Sequence, residues 1–152
     1  MSDIPESHPR YISLKTRENL VAAAHAGVVS YEGLTSHGRG EAFDYLFGEK
    51  TSASALAAEK LAAAVLLAAK HPVLSINGNT ASLAAAEIAD LQKASGAQVE
   101  VNLFHRTEER LKKVNAVLEE AGCVVNRGKV ERCVPLPHDR GLCCPDGIGS
   151  AD

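Results

Sequence analysis

The chain has 152 residues, with 16 lysines and arginines against 19 acidic residues, for a formal net charge of −3. That length suits one domain, and the interspersed charges form no broad basic face, which argues against a nucleic-acid partner. Its 24 alanines, three Phe, three Tyr and absence of Trp favour helices packed closely over a small core, since alanine has the best helix propensity.

The N-terminal MSDIPESHPR is polar, carries two prolines and has no apolar signal core. Ser7-His8-Pro9 is expected to open a helix, with Ser7 as the cap and Pro9 in the first turn, running to about Gly27. Arg17 lies one turn before Val21 and so borders the buried side. A linking stretch, VVSYEGLTSHGRG, follows; in it Gly38 and Gly40 flank Arg39, and EAFDYLF is then expected to form a short helix. Thr51 or Ser52 caps a long Ala/Leu helix that ends before His71-Pro72 and, being apolar on most sides, is expected to be buried. The longest apolar run, Leu61–Ala69, has nine residues, whereas crossing a bilayer takes ~20. A soluble, cytoplasmic protein with no membrane partner is the expectation.

Val73–Ile76 reads as a short buried strand with Pro72 at its start. Asn77-Gly78-Asn79 is the turn, and a helix with Ala84, Ile88 and Leu91 on one face stops at Gly96. Gln98–Phe104 is the second strand. Thr107 caps the next helix, Glu108 and Glu109 suit its positive end, and Leu111, Val114, Leu118 and Ala121 form its inward stripe. Cys123–Asn126 is a weak third strand, and Arg127–Asp152, with three prolines, reads as an irregular tail. Strand–helix–strand–helix–strand implies parallel strands and right-handed crossovers. The fold class is therefore α/β: a Rossmann-like parallel sheet (71–126) preceded by N-terminal helices (1–70), incomplete at its C-terminal side, in a single domain.

Ligands of open parallel sheets sit outside the carboxyl ends of the strands. Asn77, Gly78 and Asn79 lie there, as does the segment from Asn102 to Arg106. In His37-Gly38-Arg39-Gly40 two glycines clear space around an arginine whose planar fork suits phosphate. Arg17 is the best further cation; Arg10 and Lys15 read as solvated helix charges. Cys123, Cys133, His138, Cys143 and Cys144 have no C-x-x-C spacing, so free thiols are expected rather than zinc. Neither GxxxxGK[ST] nor GxGxxG occurs, which removes the common phosphate loop and the dinucleotide fingerprint.

The segments IPESHPRYISLKTRE (Ile4–Glu18), SHGRGEAFDYL (Ser36–Leu46), HPVLSINGN (His71–Asn79) and EVNLFHRTEER (Glu100–Arg110) resemble, in order and almost end to end, the archaeal 4-phosphopantoate–β-alanine ligases, or phosphopantothenate synthetases. The resemblance implies a dimeric enzyme with a Rossmann-like core. It would join 4-phosphopantoate to β-alanine using ATP with Mg2+, release AMP and pyrophosphate, and serve coenzyme A synthesis. Carried over residue by residue, the family's N-terminal ATP contacts fall on Arg17 and Arg39. Asn77, Gly78, Asn79, Asn102 and Arg106 would line the phosphopantoate side by the strand-end argument; no general base is identified. The chain departs from the family around Asn126–Pro135 and stops at GIGSAD, where relatives continue into a further strand, so a truncated form is expected. The alternative is a phosphate-binding or dimerising module without activity.

Overall fold

The computed structural model describes residues 4–104, 106–127 and 147–152, and the backbone of 134–135 and 142–143. The first helix, α1, is Tyr11–His25. It begins later than Ser7-His8-Pro9 suggested, with Arg10 at the cap position and no side-chain cap bond. Pro9 disfavours helical backbone at His8. The segment instead forms tight turns, in which the Tyr11 N–H donates to His8 O (2.9 Å) and the Arg10 N–H to His8 Nδ1 (3.0 Å).

Helix α2, Tyr31–Phe47, overturns the expected link and short helix. Ser30 caps it by accepting the Gly33 N–H (3.3 Å), and the helix runs unbroken through His37-Gly38-Arg39-Gly40. Two interior glycines cost about 1 kcal/mol each. The cap and two tertiary anchors, Gly33 on Asn79 and Glu41 beside Arg10, offset that cost.

Helix α3, Ala53–Ala68, is capped by Ser52 through the Ala55 N–H (3.2 Å). It is not buried as expected: none of its residues is, and Leu61, Val65 and Leu67 are 66%, 57% and 64% exposed. An all-round apolar helix predicts a cover on every side, and among the described residues only Leu66 of this helix is half-buried.

The sheet is three-stranded and parallel, in the order β1 (Val73–Ile76), β2 (Gln98–Val101), β3 (Val125–Asn126). Registers run from Val73↔Gln98 to Ile76↔Val101 and from Val99↔Val125 to Glu100↔Asn126. β2 stops three residues before Phe104, and β3 starts two residues after Cys123. The crossovers are α4 (Gly78–Ser95) and α5 (Glu108–Glu120), as the strand–helix alternation requires.

Asn77 caps α4 and a left-handed Gly96 (φ 68°) ends it. The helix is kinked at Ala84 (φ −141°), and its inward face is Ala81, Ile88 and Ala89, with Leu91 40% exposed. Thr107 caps α5, whose Val114 and Leu118 are fully buried, whereas Ala121 falls at the C-cap. The core joins these to Val28, Ile76, Val99, Val101 and Leu103, each large side chain contributing roughly 1.5–3 kcal/mol by burial.

In the segment 127–152 only part of the chain is described. Within it β4 (Val134–Pro135) pairs antiparallel with β5 (Leu142–Cys143), and a 3-10 turn, Ile148–Ser150, is pinned to the sheet by the Ile148 N–H donating to buried Glu100 (2.8 Å). Asp152 accepts the backbone N–H groups of Lys70 (3.1 Å) and His71 (2.8 Å). Cys123 is a free, buried thiol; Cys133, Cys144, His138 and the side chain of Cys143 lie outside the described residues. Among the described residues no His/Cys/Asp/Glu group could hold a metal ion, and no helix is long and apolar enough to cross a membrane.

Candidate functional site at the strand ends

A cavity of about 320 Å³ opens at the carboxyl end of β1, within the range of small-molecule sites. Its walls are the start of α2 (Ser30, Glu32, Gly33, Ser36), the start of α4 (Asn77, Gly78, Asn79), Leu103 and Phe104 after β2, and Arg110 from the first turn of α5. The parallel topology brings these together, since every strand-to-helix connection of the sheet emerges on this side.

Each of the three turn residues has a structural duty here. Asn77 Oδ1 accepts the Thr80 N–H (2.9 Å) and lies 3.1 Å from Thr80 Oγ1. Gly78 is packed so tightly that an added Cβ would stand 2.4 Å from Val28 O and 3.1 Å from Arg110 Nη2. Asn79 Nδ2 donates to Gly33 O (2.9 Å), tying α2 to α4. A Cβ on Gly33 would in turn stand 2.4 Å from Asn79 Oδ1.

Sequence reasoning assigned no role to Arg110. Its Nε–H donates to Val28 O (3.1 Å); partial burial pushes its pKa down, and the charge of Glu32 pulls it up. The available signal was its place three residues after the Thr107 cap, where its own N–H donates to Thr107 Oγ1 (3.2 Å). The first turn of a helix that follows a parallel strand returns to the ligand side of the sheet.

Asn102 and Arg106 do not line this cavity. Asn102 Nδ2 donates to Ser75 Oγ (3.0 Å) and links the ends of β1 and β2. Arg106 borders a separate cleft of about 10 Å³ with Glu100, Asn115 and Arg127.

The N-terminal cations are arranged around Glu41, which is 9% exposed. Arg10 Nη2 lies 3.3 Å and Arg17 Nη1 3.8 Å from its carboxylate. Arg10 also reaches Glu49 (2.7 Å) and lies 3.7 Å over the Tyr45 ring. The bond to Glu49 raises the Arg10 pKa and lowers that of Glu49. Arg39 is exposed on α2. Two residues before Glu41, it is turned about 200° round the helix, so Arg17 and Arg39 are not on one face of the Glu41 cluster. A wider, shallow cavity of about 800 Å³ beside α1 and α2, bordered by Thr16, His37, Glu41 and Glu59, has neither arginine in its walls.

Residues 54–152 match the family model described as phosphopantothenate/pantothenate synthetase. The chain is 64% identical over 149 residues to a protein of Methanospirillum hungatei named 4-phosphopantoate–β-alanine ligase, covering 98% of this chain and 61% of that one. Proteins of the same name are 46% identical in Methanosarcina mazei and 43% in Thermococcus kodakarensis; each match covers all of this chain and 60% or 59% of the relative. The chain thus spans about three fifths of the length of these curated relatives.

Proposed function

The chain belongs to the phosphopantothenate/pantothenate synthetase family, and from that premise we propose that it acts in the ATP-dependent ligation of 4-phosphopantoate with β-alanine. The observation that carries this reading is identity of 64%, sustained over 98% of the chain, to a protein named for that reaction. In the chemistry proposed, the carboxylate of phosphopantoate attacks the α-phosphorus of ATP and pyrophosphate leaves. The β-alanine amine then attacks the activated carbonyl and AMP leaves. Mg2+ accompanies the nucleotide.

Arg17 and Arg39 are the proposed ATP contacts, and the strand-end cavity with Asn77, Gly78 and Asn79 the proposed phosphopantoate side. Asn102 and Arg106 belong to the same reading one step removed, Asn102 by holding the strand ends together. Such a site works by fixing the reacting carboxylate against phosphorus while cations offset developing charge. A cytoplasmic homodimer is part of the same proposal.

The test is phosphopantoate-dependent exchange of labelled pyrophosphate into ATP, with AMP release on adding β-alanine. Failure of both, together with no binding of 4-phosphopantoate, overturns the reading. A second reading, an inactive phosphate-binding or dimerising module, is favoured by the exposed apolar surface of α3; 4-phosphopantoate binding without exchange would select it.

A further inference from the structure

The strand-end cavity holds a cation to which neither the family resemblance nor the strand-end argument gave a role. We infer that Arg110 binds the phosphoryl group of a phosphorylated hydroxy acid seated in this cavity, with the acid's apolar carbons against Leu103 and Phe104. The inference rests on the proposed assignment of the cavity to 4-phosphopantoate.

The placement of Arg110 is fixed from two sides. Its Nε–H donates to Val28 O (3.1 Å), which sets the plane of the guanidinium. Its Nη2 reaches the spot against Gly78 where any larger residue would carry a Cβ, 3.1 Å away. The fork therefore lies at the first turn of α4, whose N–H groups have no partners within the helix. A held, planar, partly desolvated guanidinium is suited to two-pronged bonding of phosphate oxygens, and the positive helix end adds to the attraction.

In the same lining Leu103 is buried and Phe104 is 68% exposed, so the cavity offers apolar surface as well as the cation. A phosphorylated hydroxy acid with a dimethyl-substituted carbon near its phosphoester carries both kinds of group. Glu32, on the rim, places a negative charge near the guanidinium and opposes a second one, so it limits affinity rather than supplying it.

The experiment compares 4-phosphopantoate with unphosphorylated pantoate by calorimetry on the 152-residue chain and its Arg110→Gln, Arg110→Lys and Glu32→Gln variants. Thermal unfolding confirms that each is folded. The wild-type chain should prefer the phosphorylated acid by at least tenfold. Arg110→Gln should erase that preference, Arg110→Lys should keep part of it, and Glu32→Gln should increase it. Arg110→Gln is the variant most prone to unfold, and Arg110→Lys then decides: full preference with lysine shows that the fork is not used and overturns the inference. Preference that survives in folded Arg110→Gln overturns it too, while leaving the ligase reading intact.

If the wild-type chain binds neither acid and also shows neither pyrophosphate exchange nor AMP release, the ligase reading fails. The site is then judged with inorganic phosphate, read from the Gly78 and Asn79 amide resonances. Shifts in the wild type that vanish in Arg110→Gln uphold a phosphate site for another phosphorylated ligand; no shift in the wild type overturns it.

Discussion

Gly78 and Gly33 occupy points where the backbone of one segment meets another at a distance that excludes any side chain. Gly78→Ala would press a methyl against a backbone carbonyl, Val28 O, 2.4 Å away, and a carbonyl cannot swing aside. Gly33→Ala meets Asn79 Oδ1 at the same distance, but that is a side chain, which can turn at the loss of its bond to Gly33 O. Chemical denaturation should therefore show Gly78→Ala the more damaging, by about 1–3 kcal/mol as an overpacking change, and Gly33→Ala at about 0.5–1.5 kcal/mol, one hydrogen bond. The reverse order would mean that α4 can slide and α2 cannot. Arg39 is a different case, because it is exposed and, among the described residues, no hydrogen bond or ion pair holds it. Arg39→Ala should leave the melting temperature unchanged and weaken ATP binding by about 1.5–3 kcal/mol, the range for a charged hydrogen bond; unchanged affinity by calorimetry would remove Arg39 from the ATP site. Cys123 is 5% exposed, and burial pushes its thiol pKa up. Peptide mapping after alkylation at pH 8 should find Cys123 modified far more slowly than in denaturant, since only the thiolate reacts.

Between elements, what the sequence made legible depended on whether local signals were opposed. The βαβαβ core had agreeing signals: Asn77 and Thr107 as caps, Gly96 as a stop, apolar runs between them. The structure has strands and helices at those places. Boundaries failed where a strand needs a neighbour, as β2 ends at Val101, opposite Ile76 where β1 ends. Helix α2 failed for the opposite reason. Glycines at 38 and 40 oppose a helix locally, and only the docking of its ends on Asn79 and Arg10 decides otherwise. Arg110 was missed for another reason: its place three residues after the Thr107 cap was legible, but its role follows from where the crossover returns. Gly38 and Gly40 have open space around them, with nothing within 4 Å of an added Cβ. Gly38→Ala and Gly40→Ala should each stabilise the chain by about 0.5–1 kcal/mol. Stabilisation accompanied by loss of ATP binding would show that these glycines keep clear a space for nucleotide beside Arg39; destabilisation would show that α2 does not hold its helix through this stretch.

For the molecule as a whole, the largest mismatch between composition and burial lies on one side. Helix α3 buries none of its residues, β1 has strand β2 on one edge and no strand on the other among the described residues, and a hollow of about 410 Å³ between them is lined by Ala58, Leu61, Val65 and Val73. Exposed apolar surface of this extent marks an interface, and an open strand edge adds unsatisfied backbone groups that invite pairing. The relatives are longer by about two fifths of their own length, so this surface need not face water in them. In the 152-residue chain nothing described covers it, and two copies meeting through α3 would bury Leu61 and Val65 on both sides. Sedimentation at rising concentration should therefore show reversible self-association. Leu61→Lys combined with Val65→Lys should shift it to monomer without altering the circular dichroism of the βαβαβ core, because neither side chain belongs to that core. A chain that stays monomeric at high concentration, or a double variant that associates as before, would place the contact elsewhere and withdraw α3 from any role in pairing.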